Sequence, residues 1–221
     1  MNQLDLTIQS HFPCHVLPKF EAFEPMTKTG DRLLLGSSKL QMEISRPWLH
    51  AIVTISGEEF ARGLPYGEPI AERREMRCGE IPRALMLEFM EKAAAACPNE
   101  VGAWIVWDEH SNEFSLIDLP ILTHSPDHLA YQAPTLQTGQ WLVIDLHSHG
   151  PSEAFFSATD DADDKGSLKM SFVLGKCDGE FEWASRWNLL GVQAPMEVRK
   201  FGAVMRTLYS QRIRLNETSS V

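Results

Sequence analysis

The stretch Trp141-Leu-Val-Ile-Asp-Leu-His147-Ser-His149-Gly-Pro-Ser-Glu-Ala-Phe-Phe-Ser157-Ala-Thr-Asp160 decides how the rest of this sequence is read. Trp141 to Leu146 is apolar except for Asp145, has strand length, and reads as a buried strand that runs straight into His147-Ser-His149. Side chains of a strand repeat every two positions, so both imidazoles project from one face and can converge on one ion. Two histidines with a carboxylate and one open position are a standard catalytic zinc arrangement. Composition alone does not choose the carboxylate, because Asp160, Asp161, Asp163 and Asp164 crowd together. Spacing narrows the choice: a helix beginning at Ser157-Ala-Thr-Asp160 places Ser157 and Asp160 together at its N-terminal end, beside the strand end. The same four residues also read as a capping box, and capping and catalysis can coexist.

Around this stretch the composition is that of an ordinary globular protein. The 221 residues are 43% hydrophobic and 23% charged, enough for one medium domain or a compact domain with a smaller appendage. A net charge of −10 with no block of Lys or Arg argues against a direct nucleic-acid partner. No apolar run is long enough for a membrane span and the start MNQLDLTIQS lacks signal-peptide character, so a cytoplasmic location is expected. Cys14, Cys78, Cys97 and Cys177 are widely spaced, form no CxxC pair, and read as free, mostly buried thiols.

Upstream, residues 1–75 read as a β-rich segment of turns and short strands (32–35, 40–44 and 48–55), its role not legible, with the charged 72–75 as its boundary. Residues 76–221 then form the main domain. Leu85, Phe89 and Ala93, and Met86 with Met90, recur every four positions and predict a helix over 82–96, stopped by Pro98. Val101 to Trp107 and Phe114 to Leu122 predict a hairpin through the polar turn 108–112, and a loop rich in Pro and His follows to Gly139. Past the metal stretch, helix is expected over 157–165, strands over 169–174 and 181–190, helix over 196–209, and a frayed tail over 216–221. The tryptophans at 104, 107, 141, 183 and 187 read as core or groove residues; Asp145, in strand parity with His147, reads as an ordinary polar residue in preference to a carboxylate that orients an imidazole, and His124 and His128 as surface histidines of the loop in preference to ligands for a second metal.

His147-Ser-His149, seven residues, then Ser157-Ala-Thr-Asp160 fit His-x-His-x7-Ser-x-x-Asp at every defining position. The sequence thereby resembles the JAMM metalloproteases, the catalytic branch of the MPN domain family, over roughly residues 80–195. That family carries an upstream Glu, often as Pro-x-Glu before small and apolar residues. Pro98-Asn-Glu100-Val-Gly-Ala-Trp-Ile-Val106 has this layout, and Glu91 and Glu109 fit it less well. Two departures are visible: Gly150 and then Pro151 follow the second histidine where many members have Pro at once, and Ala103 stands where many have Gly. With Met42-Glu-Ile-Ser-Arg-Pro-Trp48 and the acidic 155–164, the whole chain is similar to the JAMM proteins of bacterial PRTRC cassettes, which also encode relatives of ParB and of the adenylating enzyme ThiF.

The resemblance implies an α/β chain of the α+β kind: a JAMM/MPN-like, cytidine-deaminase-like mixed sheet flanked by helices. It implies Zn2+ held by His147, His149 and Asp160, Glu100 as general acid/base, and Ser157 as donor to the developing oxyanion. The implied activity is hydrolysis of a peptide or isopeptide bond, at the C-terminus of a ubiquitin-like protein, with a ThiF-like adenylating protein as a further partner. Two other readings remain. One is a catalytically idle MPN module that binds a ubiquitin-like protein. The other rests on Asp145-Leu-His-Ser-His149, which also resembles the Asp-x-His-x-His opening of amidohydrolase-type enzymes; only 72 residues follow it, against the roughly 250 residues that a (β/α)8 barrel needs in total.

Overall fold

The computed structural model describes residues 2–218, with side chains through residue 213, and divides into two compact units, 1–80 and 81–221. The first unit begins with helix α1 (Gln3–His11), capped by the Asn2 side chain on the Leu4 N–H. Five strands follow in a sheet whose spatial order is the chain order: β1 (Cys14–Val16), β2 (Gly30–Leu35), β3 (Leu40–Ser45), β4 (Leu49–Thr54) and β5 (Arg73–Met76). The charged 72–75 stretch therefore supplies most of an edge strand, a place where charged side chains are tolerated because they discourage further pairing. Leu17, Leu34 and Ile52 pack as an apolar core with Phe23 and Ile70 against them. Beneath β3 lies a buried polar knot: the Glu43 carboxylate accepts from Arg32 Nε (2.6 Å), the Met26 N–H (2.7 Å) and His50 Nε2 (2.8 Å).

The second unit opens with α2 (Arg83–Ala96), whose buried residues Met86, Phe89, Met90 and Ala93 follow the expected helical stripe. Next come β6 (Gly102–Asp108) and β7 (Glu113–Asp118), joined as the predicted hairpin. The expected second strand does not run on to Leu122. It ends at Asp118, and β8 (Ile121–Ser125) pairs instead with β9 (His128–Tyr131) in a hairpin of its own, where a loop was expected. Then follow β10 (Gln140–Ser148), α3 (Ala158–Asp163), β11 (Leu168–Gly175), β12 (Glu182–Leu189), the unforeseen β13 (Val192–Pro195) and α4 (Arg199–Thr218). Helix α4 begins three residues later than expected and extends through 218; the remainder of the expected frayed tail, 219–221, lies outside the described residues.

Six of these strands form one sheet in the order β13-β12-β11-β10-β6-β7. All neighbours are antiparallel except β10 and β11, which run parallel, so the chain must cross over between them and α3 lies in that crossover. The inner strands β6 and β11 are buried along almost their whole length and β10 through its second half, as strands covered on both faces must be. Trp104, Val106 and Leu119 form a core covered by Tyr131 and Leu136. A Cβ at Gly102 would come within 2.7 Å of Leu119 Cδ1 and 3.1 Å of Leu129 Cδ2, so the β8–β9 hairpin closes over β6 where β6 has no side chain. The architecture is the expected mixed α+β, and an open six-stranded sheet excludes the (β/α)8 barrel.

Candidate metal centre

His147 lies at the end of β10 and His149 one residue beyond it, in the alternation that the sequence predicts. Their Nε2 atoms face each other at 3.2 Å, and Asp160 Oδ1 stands 3.4 Å from His147 Nε2. The three donor atoms all lie within 4.8 Å of one another, the one such group of His, Cys, Asp and Glu among the described residues. A tetrahedral zinc with ligands at about 2.0–2.1 Å separates neighbouring donors by about 3.3 Å, so the donor set fits Zn2+ in chemistry, and the two separations at His147 match that spacing.

The protonation pattern points the same way. His149 Nδ1 is 3.2 Å from the Glu153 carbonyl, which can only accept, so the ring proton sits on Nδ1 and Nε2 offers its lone pair to the cluster. Burial, reinforced by the neighbouring His147, lowers the pKa of His149 and favours the neutral ring. The edge of this ring also packs on Phe155, with centroids 4.6 Å apart.

Asp160 reaches the cluster through the start of α3. Ser157 is the N-cap, and both halves of a capping box are present. Asp160 Oδ2 accepts from the Ser157 N–H (2.6 Å) and Oγ–H (2.7 Å), which leaves Oδ1 to face the histidines. The two readings of Ser-x-x-Asp thus coexist in one carboxylate, whose two oxygens do different things. The Ser157 hydroxyl donates to Asp160 Oδ2 in this arrangement; donation to a substrate oxygen requires it to turn away.

Glu100 sits two residues ahead of β6, in the turn after α2, and lines the same cleft of about 280 Å3 as His147, His149, Ser157 and Asp160. Burial, with the nearby charges of Asp160 and Asp127, pushes its pKa up to about 7, the range in which a carboxyl can both take and give a proton near neutrality. The β8–β9 hairpin clamps its backbone: the Glu100 N–H donates to the Ser125 carbonyl (3.0 Å) and His124 Nδ1–H donates to the Glu100 carbonyl (2.9 Å). His124 is therefore a structural tie, and His128 lines the cleft from β9. The acids set aside lie elsewhere, with Glu91 ion-paired to Arg212 and Glu109 accepting from Trp141 Nε1.

Gly150, at φ +51°, is where the loop after His149 passes the turn before Glu100: a Cβ there would lie 2.2 Å from the Pro98 carbonyl oxygen. Proline cannot adopt a positive φ, so the departure from the family pattern at this position is built into the local path of the chain. Asp145 proves more than an ordinary polar residue. It is buried at the floor of the cleft and pairs with Lys169, which also holds Asp164. No spacing in the sequence links Asp145 to a lysine 24 positions away.

Residues 82–189 match the family model described as prokaryotic homologs of the JAB domain, and residues 2–77 match a domain of unknown function, DUF2016. A comparison with curated proteins finds no match. No helix among the described residues is long and apolar enough to cross a membrane. With a JAB/MPN-like sheet carrying the His-x-His and Ser-x-x-Asp elements at adjoining ends of one crossover, the second unit of this chain belongs to the JAB/MPN family, in its prokaryotic branch.

Proposed function

We propose that the second unit is a zinc-dependent peptidase or isopeptidase of the JAMM type, acting at the C-terminus of a ubiquitin-like protein. The observation that carries this reading is the convergence of His147, His149 and Asp160 in one cleft with a buried glutamate whose carboxyl titrates near neutrality. His147 Nε2, His149 Nε2 and Asp160 Oδ1 hold the metal. Zinc, when bound, supplies a Lewis acid that makes a water more acidic and polarises a carbonyl. Glu100 accepts a proton from the attacking water and returns it to the leaving amine, for which a pKa near the working pH is the best compromise. Ser157 orients Asp160 and, by rotating its hydroxyl, donates to the oxygen of the tetrahedral intermediate, a contribution of about 3 kcal/mol where one donor is well placed. The β8–β9 hairpin holds Glu100 by its backbone in the cleft that the histidines line.

The substrate class and a ThiF-like activating partner come from the resemblance to PRTRC-cassette proteins. An idle binding module is the competing reading, and retention of His147, His149, Asp160, Glu100 and Ser157 speaks against it. Purified, metal-replete protein should carry one zinc per chain and cleave a ubiquitin-like protein extended at its C-terminus. Glu100→Gln should keep the zinc and lose cleavage. Failure to hold stoichiometric zinc would sink the enzyme reading, and full activity of Glu100→Gln would move the proton transfer to another residue.

A further inference from the structure

Asp160 is presented by a helix whose own stabilisation is limited to the capping box at its start. Helix α3 is six residues long and none of them is buried, so it has neither the length nor an apolar face to stabilise it. Its anchor is a side chain from another strand. Arg186, in the middle of β12 and only 7% exposed, lays its guanidinium over the Phe156 ring at 3.9 Å, directly before the cap Ser157. Its Nη1 ion-pairs with Asp161, directly after Asp160. Its Nε and Nη2 reach Asp164 Oδ2, the C-cap of the helix, at 3.1 and 2.7 Å. Asp164 is in turn fixed to the sheet by Ser171 Oγ (2.9 Å), Asn188 Nδ2 (3.0 Å) and Lys169 Nζ (2.9 Å).

One guanidinium therefore grips the segment 156–164 before, within and after the turn that carries Ser157 and Asp160. It does so with the planar, stacking, multi-donor geometry that only arginine has. We infer that Arg186 is a positioning residue of the metal centre: it fixes the Ser157–Asp160 turn against the sheet so that Asp160 Oδ1 meets the two histidines. The inference rests on the metal reading above and adds to it a residue 26 positions from Asp160.

The test compares Arg186→Met, which keeps length and apolar packing, Arg186→Lys, which keeps only the charge, and Phe156→Leu, which removes only the stacked ring. Phe89→Leu, a core change in α2 away from the site, is the control. Zn2+ affinity is measured by competition with a chromogenic chelator, the visible absorption of the Co2+ form reports ligand geometry, and thermal melting of the metal-free protein reports folding. Arg186→Met should lower Zn2+ affinity about 10- to 100-fold and alter the Co2+ bands, as loss of outer-shell support does in other metal sites. Arg186→Lys should not restore the wild-type spectrum, and Phe156→Leu should shift affinity the same way by about threefold. Phe89→Leu should lower the melting temperature and leave both metal readouts unchanged. Wild-type affinity and spectrum in folded Arg186→Met overturn the inference, as does an equal loss in Phe89→Leu, which would make the effect one of general stability. If Arg186→Met does not fold, an unchanged affinity and spectrum in Phe156→Leu overturn it. A wild-type protein that binds neither Zn2+ nor Co2+ overturns the metal reading itself, an outcome distinct from all of these.

Discussion

Replacing Gly150 by alanine tests whether the loop after His149 is truly pressed against the turn before Glu100. The added Cβ would lie 2.2 Å from the Pro98 carbonyl oxygen, about 1.2 Å inside ordinary contact, and the neighbour is backbone that cannot swing aside. The Gly150 carbonyl is itself held by the Cys177 N–H at 2.8 Å, so the loop cannot simply lift. Two costs add. The left-handed backbone costs an alanine about 1–2 kcal/mol, and forced overpacking costs a further ~1–3 kcal/mol. Gly166 separates them, because it has φ +78° and open space where a Cβ would go. Gly166→Ala should show the backbone cost alone. At about 2–4 °C per kcal/mol for a chain of this size, Gly150→Ala should melt roughly 2–12 °C below Gly166→Ala in thermal denaturation of metal-free protein. The opening also parts His149 from Glu100, and a shift of about 1 Å between reacting groups costs on the order of 100-fold in rate. Equal melting temperatures for the two alanine variants would refute the reasoning.

Three further outcomes are expected. Glu43 in the first unit has its pKa lowered: burial acts to raise it, but the bonds from the Met26 N–H, His50 and Arg32 outweigh burial. The stability it contributes is complete above the unfolded-state value of about 4.3 and is lost as pH falls through that value toward the lower folded one, so denaturation between pH 6 and 3 should show an acid limb that Glu43→Gln flattens. Zn2+ in hundredfold excess over its dissociation constant should stabilise the second unit by about 2.7 kcal/mol in calorimetry, reversibly with a chelator, and His147→Ala should abolish the shift. Lys169→Met should cost about 3–5 kcal/mol in urea unfolding, because Asp145 stays buried without its cation while Asp164 keeps only Arg186 as a cation. A loss below 1 kcal/mol would show that the pair is neutralised by other means.

What could be read in advance was local. The alternation at the end of β10 placed both histidines on one side, and the capping spacing placed Ser157 and Asp160 in one turn, because both rules act over two to three residues. Glu100 came from the resemblance; as a lone acid near a strand it carries no signal of its own, and its burial is made by a hairpin that the sequence concealed. Pro126 and the polar Thr123, His124 and Ser125 break any alternation, so β8 and β9 looked like loop. Arg186 was hidden for the opposite reason. In Trp-Ala-Ser-Arg-Trp it passes for the solvent-facing residue of a strand, and only the folded sheet brings it to Asp161 and Asp164. Strand β5 is charged because it lies at an edge, which is why its residues read as a boundary.

The burial of Glu100 has an evolutionary consequence. A carboxyl whose pKa rises to about 7 on folding weakens the metal-free fold by roughly 3–4 kcal/mol at alkaline pH, since the unfolded chain ionises it freely near 4.3. Selection for stability alone would therefore work against this position, and a change to Gln or Leu would leave a sturdier protein with its three donors intact. Under the proposed function, hydrolase and mere receptor would then be neighbours separated by one codon at position 100.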